Sequence, residues 1–530
     1  MAIKRYIATA DNTITNAFRQ NLRQRGTGSN MGEADVLEVF SIYGQTLATG
    51  SESGRPSQEL SRVLVKFPVD GTAAGQIKGD RTAGTIPKSG SVNFYLRMFN
   101  AKHASTLPRD ASYTVQAVSQ SWIEGTGLDM EEYKDFGESN WMQRTKGVNW
   151  GKNGGEYWSG SYAPGYTFPS YTVTQEIGPE DIELDITSMV EEWIKGTQQN
   201  YGLGVRLIAT QEAYFSPSTG ADLNNGVLKN TGGAKKSYFT KKFFARGSQF
   251  FFKRPMIEAR WDSSTKDNRG NCKFSSSLAP SADNLNTLYL YNFIDGQLKD
   301  IPIIGPTGTI YVQIYSGSAG NEEPAGSNLK LAIGGGVIAA QRFYVTGGHH
   351  DTGIYTASFA LTSSAAMTLD TIFDVWSSGS ATNVHYFTGS AKISKRNSSE
   401  INITPQYTTN ISNLKAAYKS TEIPKLRLYT RSKNWNPNIY SKATSVVQNE
   451  IIENAYYTVH RLYDNTEAIS YGTGSSNLDY TRMSYDVSGN YFDLDMSLLK
   501  PDAMYGISLA YYVNGEYQEQ PDTFRFRLEK

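Results

Sequence analysis

The sequence predicts an all-β chain, an N-terminal arm followed by three β-sandwich domains of jelly-roll or immunoglobulin-like type. Three observations predict it. Apolar and polar residues alternate at period two in many short segments, which buries one face of a strand and wets the other. Glycine, 49 residues in all, and serine break these segments at short intervals, the spacing of sandwich strands. Only one segment combines helical spacing with start and stop signals. The length, 530 residues, allows about three domains at ~100–200 residues each.

Residues 1–33 read as an arm. Ile3, Tyr6, Ile7, Ile14 and Phe18 are apolar anchors on an otherwise polar stretch, and residues 17–32 (AFRQNLRQRGTGSNMG) are basic and end in Gly and Ser. A segment that folds on a partner needs such anchors to offset its ordering entropy, so they are expected to strap onto a neighbouring subunit. The alternative is that they begin the first sandwich of their own chain.

The first domain spans 34–262. Val36 to Ile42 begins a strand, Val63, Val65 and Phe67 alternate, and so do Val92, Phe94, Leu96 and Met98. The Trp141–Tyr166 stretch is too rich in glycine for a helix and reads as loops pinned by Trp141, Trp150 and Trp158. The helix lies in DITSMVEEWIKG: Asp185 or Thr187 caps it, Met189, Val190, Trp193 and Ile194 face a core, and Gly196 ends it. Apolar residues thin at 262–284 and again at 395–423, which sets the second domain at 284–395 and the third at 424–530. In the third, Asn514–Gly515 between two strands predicts a type I′ hairpin.

Composition narrows the chemistry. Lys+Arg and Asp+Glu are both 51, so there is no overall basic field for nucleic acid. One cysteine, Cys272, excludes an internal disulfide or a multi-cysteine zinc site. No apolar run reaches the ~18–20 residues of a membrane span, and the opening lacks a secretory apolar stretch. His349, His350 and Asp351 are the one histidine cluster, but neighbours on a strand point to opposite faces, so a polar loop tip is expected rather than a metal site. No G-x-S-x-G elbow and no phosphate loop is present. Glu124, Asp129, Glu131 and Glu132 lie near Trp122, Trp141, Trp150 and Trp158. Such aromatics could face a glycan, with Trp141, Trp150 and Trp158 as its stacking rings, or could plug the sandwich end. Lys235, Lys236, Lys241, Lys242, Arg246, Lys253 and Arg254 interleave with Tyr238, Phe239, Phe243 and Phe244. They read as strands whose charges meet an acidic partner subunit.

Five segments, in order, resemble the DNRLRE jelly-roll family: Ser61–Phe67; Val118, Trp122 and Glu124–Thr126; Trp150–Gly155; Asp185–Thr187 with Val190, Trp193 and Gly196, running on to Asn200–Leu203; and Arg254–Pro255. Residues 216–245 depart from the pattern as a polar insertion, and the acidic calcium-type loop of some relatives is not evident. The resemblance implies a β-sandwich of surface proteins, associated with carbohydrate or assembly and without enzyme activity of its own. The opening and the tail also resemble structural proteins of tailed bacteriophages. That implies a virion component made in the host cytoplasm, homo-oligomeric within the particle and bound to other virion proteins, with no cofactor, nucleic acid or membrane. The alternative it leaves is a host-glycan-binding adhesin.

Overall fold

A computed structural model describes residues 2–20, 22–46, 56–163, 166–216, 226–317, 326–331, 343–379, 384–394, 405–434, 449–473 and 479–530. The chain is all-β, 44% strand and 7% helix. It divides into two compact units, one of residues 2–262 with 474–480, the other of residues 263–473 with 481–530.

The first unit is built on two large antiparallel sheets. One has four strands in the order Ile3–Ile7, Met256–Arg260, Asn93–Met98, Ile182–Asp185. The other runs Ser170–Gln175, Ala111–Ala117, Leu203–Leu207, Pro56–Lys66, Val36–Thr46, Tyr238–Phe244, with Ala10–Thr15 also paired to Pro56–Lys66. Val63, Val65, Phe94, Leu96, Tyr113, Val115 and Ile257 meet in one core, which the helix Thr187–Lys195 joins through Met189, Val190 and Trp193. That helix is two and a half turns long at 3.6 residues per turn. Asp185 accepts the Thr187 N–H at 2.8 Å to start it, and Gly196 stops it with a left-handed φ of 80°. A short second helix, Ile77–Thr82, gives no signal in the sequence because its six residues are too few to show a period.

The expected arm is not an arm. Ile3–Ile7 pairs antiparallel with Met256–Arg260, Ile3 opposite Arg260, and Ala10–Thr15 pairs with Pro56–Lys66, Thr13 opposite Val63. Ile3, Tyr6 and Ile14 are buried in their own unit, and Ile7 is half-buried on the sheet edge. Phe18 is buried under the Arg25 guanidinium, 4.0 Å away. The strand partners of Ile3, Tyr6, Ile7 and Ile14 lie some 50 to 250 residues along the same chain, whereas Phe18 bridges Arg25 close by. Arg5 fixes the first strand by donating to Glu258 at 2.8 Å. Burial pushes the Glu258 carboxyl up, but Arg5, Arg97 and Arg260 hold it down at about 2.

The strand at Pro56–Lys66 was expected to wet one face. Both faces are buried: Val63 and Val65 enter the main core, while Leu60 and Leu64 join Ile14, Val118, Trp122, Trp141 and Trp150 in a second cluster. The tryptophan loops cover what would otherwise be the outer face of the sheet.

In the second unit, one six-stranded antiparallel sheet runs Asn286–Tyr291, Ile354–Phe359, Val345–Asp351, Ile310–Tyr315, Thr371–Ser377, His385–Lys392. Leu288, Ile310, Tyr355, Phe359 and Trp376 close its core. Further on, Tyr407–Ile411, Lys425–Ser432, Gly489–Asp493 and Ser484–Asp486 form a four-stranded sheet. Ala417–Lys419, Phe524–Glu529, Ala503–Val513, Ala455–Arg461 and Thr466–Ile469 form another, to which Glu516–Glu519 adds a hairpin strand. Tyr457 and Phe492 stack across these two sheets at 4.2 Å.

Residues 262–284 are expected to be a polar boundary segment, and the division between the two units falls at its start, between Asp262 and Ser263. Residues 263–284 are a pinned connector inside the second unit. Lys266 bridges Tyr485, the Asn268 side chain donates to the Tyr485 hydroxyl at 3.1 Å, and Cys272 bridges Ile393. Arg269 grips both oxygens of Asp374, at 2.6 and 2.9 Å. Short polar side chains hold this backbone, which is why apolar content fails to mark it as ordered. Of the 395–423 stretch, residues 395–404 lie outside the described residues, and Tyr407–Ile411 and Ala417–Lys419 are strands.

Candidate functional sites

Of the three tryptophans expected to face a glycan, Trp141 and Trp150 belong to the second cluster and Trp158 packs against the main core. Trp141 is fully buried and donates from Nε1 to the Gly226 carbonyl at 2.6 Å. Trp150 is buried and donates to the Asn140 carbonyl at 2.9 Å. Neither ring has a face left for a sugar, so both are corrected to structural plugs. An indole buried with its N–H satisfied is core, whatever polar residues surround it in sequence. Trp158 is half-buried and stacks on Phe168 at 4.6 Å, which occupies one of its faces.

The nearby carboxylates are also engaged. Glu124 takes a fork from Arg246 at 2.7 and 2.5 Å and accepts the Asp11 N–H at 2.6 Å. Asp129 organises its own loop by accepting N–H groups from Glu131, Glu132 and Lys134. Burial works against ionisation there, but these N–H bonds hold its carboxyl below the ordinary aspartate range. Asp11 is buried beside Glu124 and Arg246, and burial drives its carboxyl up to about 7. This cluster ties the second strand to the tryptophan loops.

Much of the basic-aromatic stripe is engaged inside its own unit, while Lys235, Lys236 and Phe239 stay exposed. Lys241 is fully buried, and its ammonium donates to the Gly178 and Glu180 carbonyls, both at 2.7 Å. Burial pulls it down to about 8. Lys242 lies 3.6 Å from Glu38, Arg246 pairs with Glu124, and Arg254 donates to the Ser248 carbonyl at 2.9 Å. Lys235 and Lys236 lie over the Tyr214 and Tyr238 rings.

His349 and His350 go to different neighbours. His349 meets Asp300 at 3.1 Å and the Tyr355 ring edge, whereas His350 packs edge-on against Tyr289. Asp351 is exposed and accepts the Thr352 N–H. Among the described residues, no three His, Cys, Asp or Glu side chains converge on a point. Cys272 is buried, donates to the Asn268 carbonyl, and has its thiol pushed up to about 12 by burial, the state of an inert thiol.

Several large apolar side chains remain exposed. Tyr512 and Tyr517 face each other across the last hairpin, rings 4.8 Å apart, 39% and 47% exposed. The turn between them has positive φ at both Asn514 (53°) and Gly515 (90°), the type I′ geometry. Buried Tyr456 supports Tyr517 edge-on at 5.7 Å. Phe293 and Ile294 project from a second hairpin, and Phe387 from the edge strand His385–Lys392. Period-two reading found these strands but could not say which aromatic stays outside, because that depends on what packs over each sheet.

No known protein family matches the chain, and no curated protein does. One solved structure, described as a Ca2+-stabilised adhesin that helps an Antarctic bacterium reach out and bind ice, aligns over 98% of this chain and 100% of its own, at 9% identity and a TM-score of 0.12. At that score the likeness carries no argument about fold or function.

Proposed function

We propose that the chain is a structural component of a tailed-phage virion, an accessory protein on the head, neck or tail exterior, built of three β-sandwich modules. The supporting observation is the Tyr512–Tyr517 pair. A β-hairpin closed by a tight turn holds two large amphipathic rings in fixed positions in solvent. Tyrosine in that setting buries much area at small entropy cost, which suits a protein–protein contact. Phe293 and Phe387 give the same unit further apolar contact points. The sequence resemblance to phage structural proteins supplies the kind of particle.

The experiment is incorporation. The chain and its Tyr512→Ala/Tyr517→Ala variant are each expressed during infection by the phage that encodes it, with its own copy deleted, and particles are purified. Two interface tyrosines at ~1–2 kcal/mol each predict a drop in occupancy of at least about tenfold at limiting protein, with an unchanged melting temperature. A doubly substituted chain incorporated at wild-type level contradicts the role of this surface, and a wild-type chain absent from particles contradicts the function.

A further inference from the structure

We propose that two copies of this chain pair edge to edge through the strand Ser170–Gln175, antiparallel about a two-fold axis at Thr172, so that the larger sheet of each first unit continues into the other. Two observations carry it. The strand is an open edge, and its sequence already pairs with a near-copy of itself inside the chain. The contact does not rest on the virion reading and uses none of the Tyr512–Tyr517 surface.

Ser-Tyr-Thr-Val occurs twice in the sequence, at 112–115 and at 170–173. The two strands that hold it are neighbours. Ser170–Gln175 runs antiparallel to Ala111–Ala117, with Tyr171 opposite Val115, Thr172 opposite Thr114 and Val173 opposite Tyr113. The pairing is therefore symmetric about the two threonines. Just beyond, Thr174 lies opposite Ser112, and their hydroxyls share a hydrogen bond of 2.9 Å. Turned about Thr172, the strand meets a second copy of itself in the same pairs: Tyr171 opposite Val173, Thr172 opposite Thr172, Ser170 opposite Thr174. Aromatic–β-branched and hydroxyl pairs of this kind stabilise antiparallel sheets.

The outer side of the strand is bare. It ends the strand order of its sheet, and among the described residues its one strand partner is Ala111–Ala117. Ser170, Thr172 and Thr174 are exposed, while Tyr171 and Val173 are half-buried against the main core. An open cleft of about 550 Å³ borders Pro169, Ser170 and Tyr171, so the helix Thr187–Lys195 across it leaves the edge accessible. Native edges are normally guarded by charge, proline, a bulge or a cover, because their unpaired N–H and C=O groups accept any extended chain. This strand has no charged residue, no proline and an unbroken register. The other sheet ends of the unit are guarded. Ile3–Ile7 carries Lys4 and Arg5, and Ile182–Asp185 carries Glu183 and Asp185. Tyr238–Phe244, at the far end of the same sheet, has two lysines and a register shift. Its Thr240 and Phe244 N–H groups already donate to the Thr106 and Phe99 carbonyls, at 2.7 and 3.0 Å. A two-fold contact at Ser170–Gln175 uses the same patch on both copies and closes at a dimer.

The test is sedimentation velocity of the full chain from about 1 to 200 µM, since one added strand buries less than the ~1,200–2,000 Å² of a tight interface. The wild type is expected to pass reversibly from monomer to dimer. Thr172→Lys and Thr172→Glu each set like charges face to face on the axis. Each is expected to weaken dimerisation at least about tenfold with an unchanged melting temperature. An equimolar mixture of the two sets Lys against Glu and is expected to recover the dimer. The Tyr512→Ala/Tyr517→Ala variant is expected to dimerise as the wild type does. If a charged variant melts lower, Thr172→Cys decides: opposite itself, it is expected to form a disulfide-linked dimer on mild oxidation, whereas Thr174→Cys, opposite Ser170, is not. A wild type that stays monomeric, charged variants that dimerise undiminished, a mixture no better than its parts, or no cross-link through Thr172→Cys would each overturn the proposal.

Discussion

Substituting Ile14 by alanine separates an arm that serves a neighbour from a strand that belongs to its own fold. Ile14 has no exposed surface and sits among Leu60, Leu64, Trp122, Trp141 and Trp150. Ile→Ala in a core costs ~2–5 kcal/mol, the larger values arising where the surroundings cannot collapse into the void. Here they are held: the indoles of Trp122, Trp141 and Trp150 donate to the Tyr201, Gly226 and Asn140 carbonyls. The upper half of the range, about 3–5 kcal/mol, follows. The assay is urea unfolding of the free chain by tryptophan fluorescence, which reports chiefly on the first unit because six of the eight tryptophans lie between residues 122 and 261. With a slope of about 3 kcal/mol/M, the midpoint falls by about 1 M or more. Ile7→Ala, at a half-buried edge position, costs distinctly less. A shift below about 0.2 M for Ile14→Ala would refute the assignment of this segment to its own unit.

Four further outcomes follow from the same packing. Limited proteolysis of the free chain spares 22–33 and 263–275, where Asn30, Met31, Asn268 and Cys272 are buried; early cleavage at either place contradicts their docking. Burial carries Asp11 to about 7 in the folded chain, against ~3.9 unfolded, so the folded chain holds an extra proton between those values. Its contribution to stability is therefore fully present below pH ~4 and is lost as pH rises to 7, by up to about 4 kcal/mol. Asp11→Asn then matches the wild type at pH 4 and exceeds it at pH 8, and equal pH profiles for the two chains contradict this. Cys272 stays unreactive to a thiol reagent in the native chain and reacts on unfolding; rapid native labelling contradicts its burial. Arg62→Ala strips the two-pronged partner from buried Glu212, whose oxygens accept from Arg62 at 2.9 Å, and costs about 3–5 kcal/mol by calorimetry, whereas a loss under 1 kcal/mol contradicts a buried pair.

The all-β class, the helix and the last hairpin were legible because each rests on neighbours in sequence. Alternation marks Val63 and Val65, helical spacing marks Met189 and Trp193, and the Asn514–Gly515 pair specifies its own turn. The N-terminal strands were not, because their partners are remote and much of their surroundings is polar. Asn12 donates to Ser139 and accepts from the Met31 N–H, and Asn16 accepts from the Leu60 N–H. These asparagines are buried as backbone substitutes, yet in composition they look like solvated residues. The order within the boundary segment 262–284 was not legible for the same reason, with Asn268 and Asn286 doing the binding. The tryptophans misled in the opposite direction: Gly and Asn around Trp141 and Trp150 suggested exposure, whereas these loops fold back over the sheet.

The most direct measurement is quantitative mass spectrometry of virus particles purified from a culture that produces this chain, calibrated with labelled peptides of the chain and of a major virion protein. A virion component is expected at a fixed copy number, constant across preparations and after density-gradient repurification, and consistent with the rotational symmetry of a head, neck or tail assembly. Absence from the particles, or an amount that falls with each purification step, would contradict the proposed function.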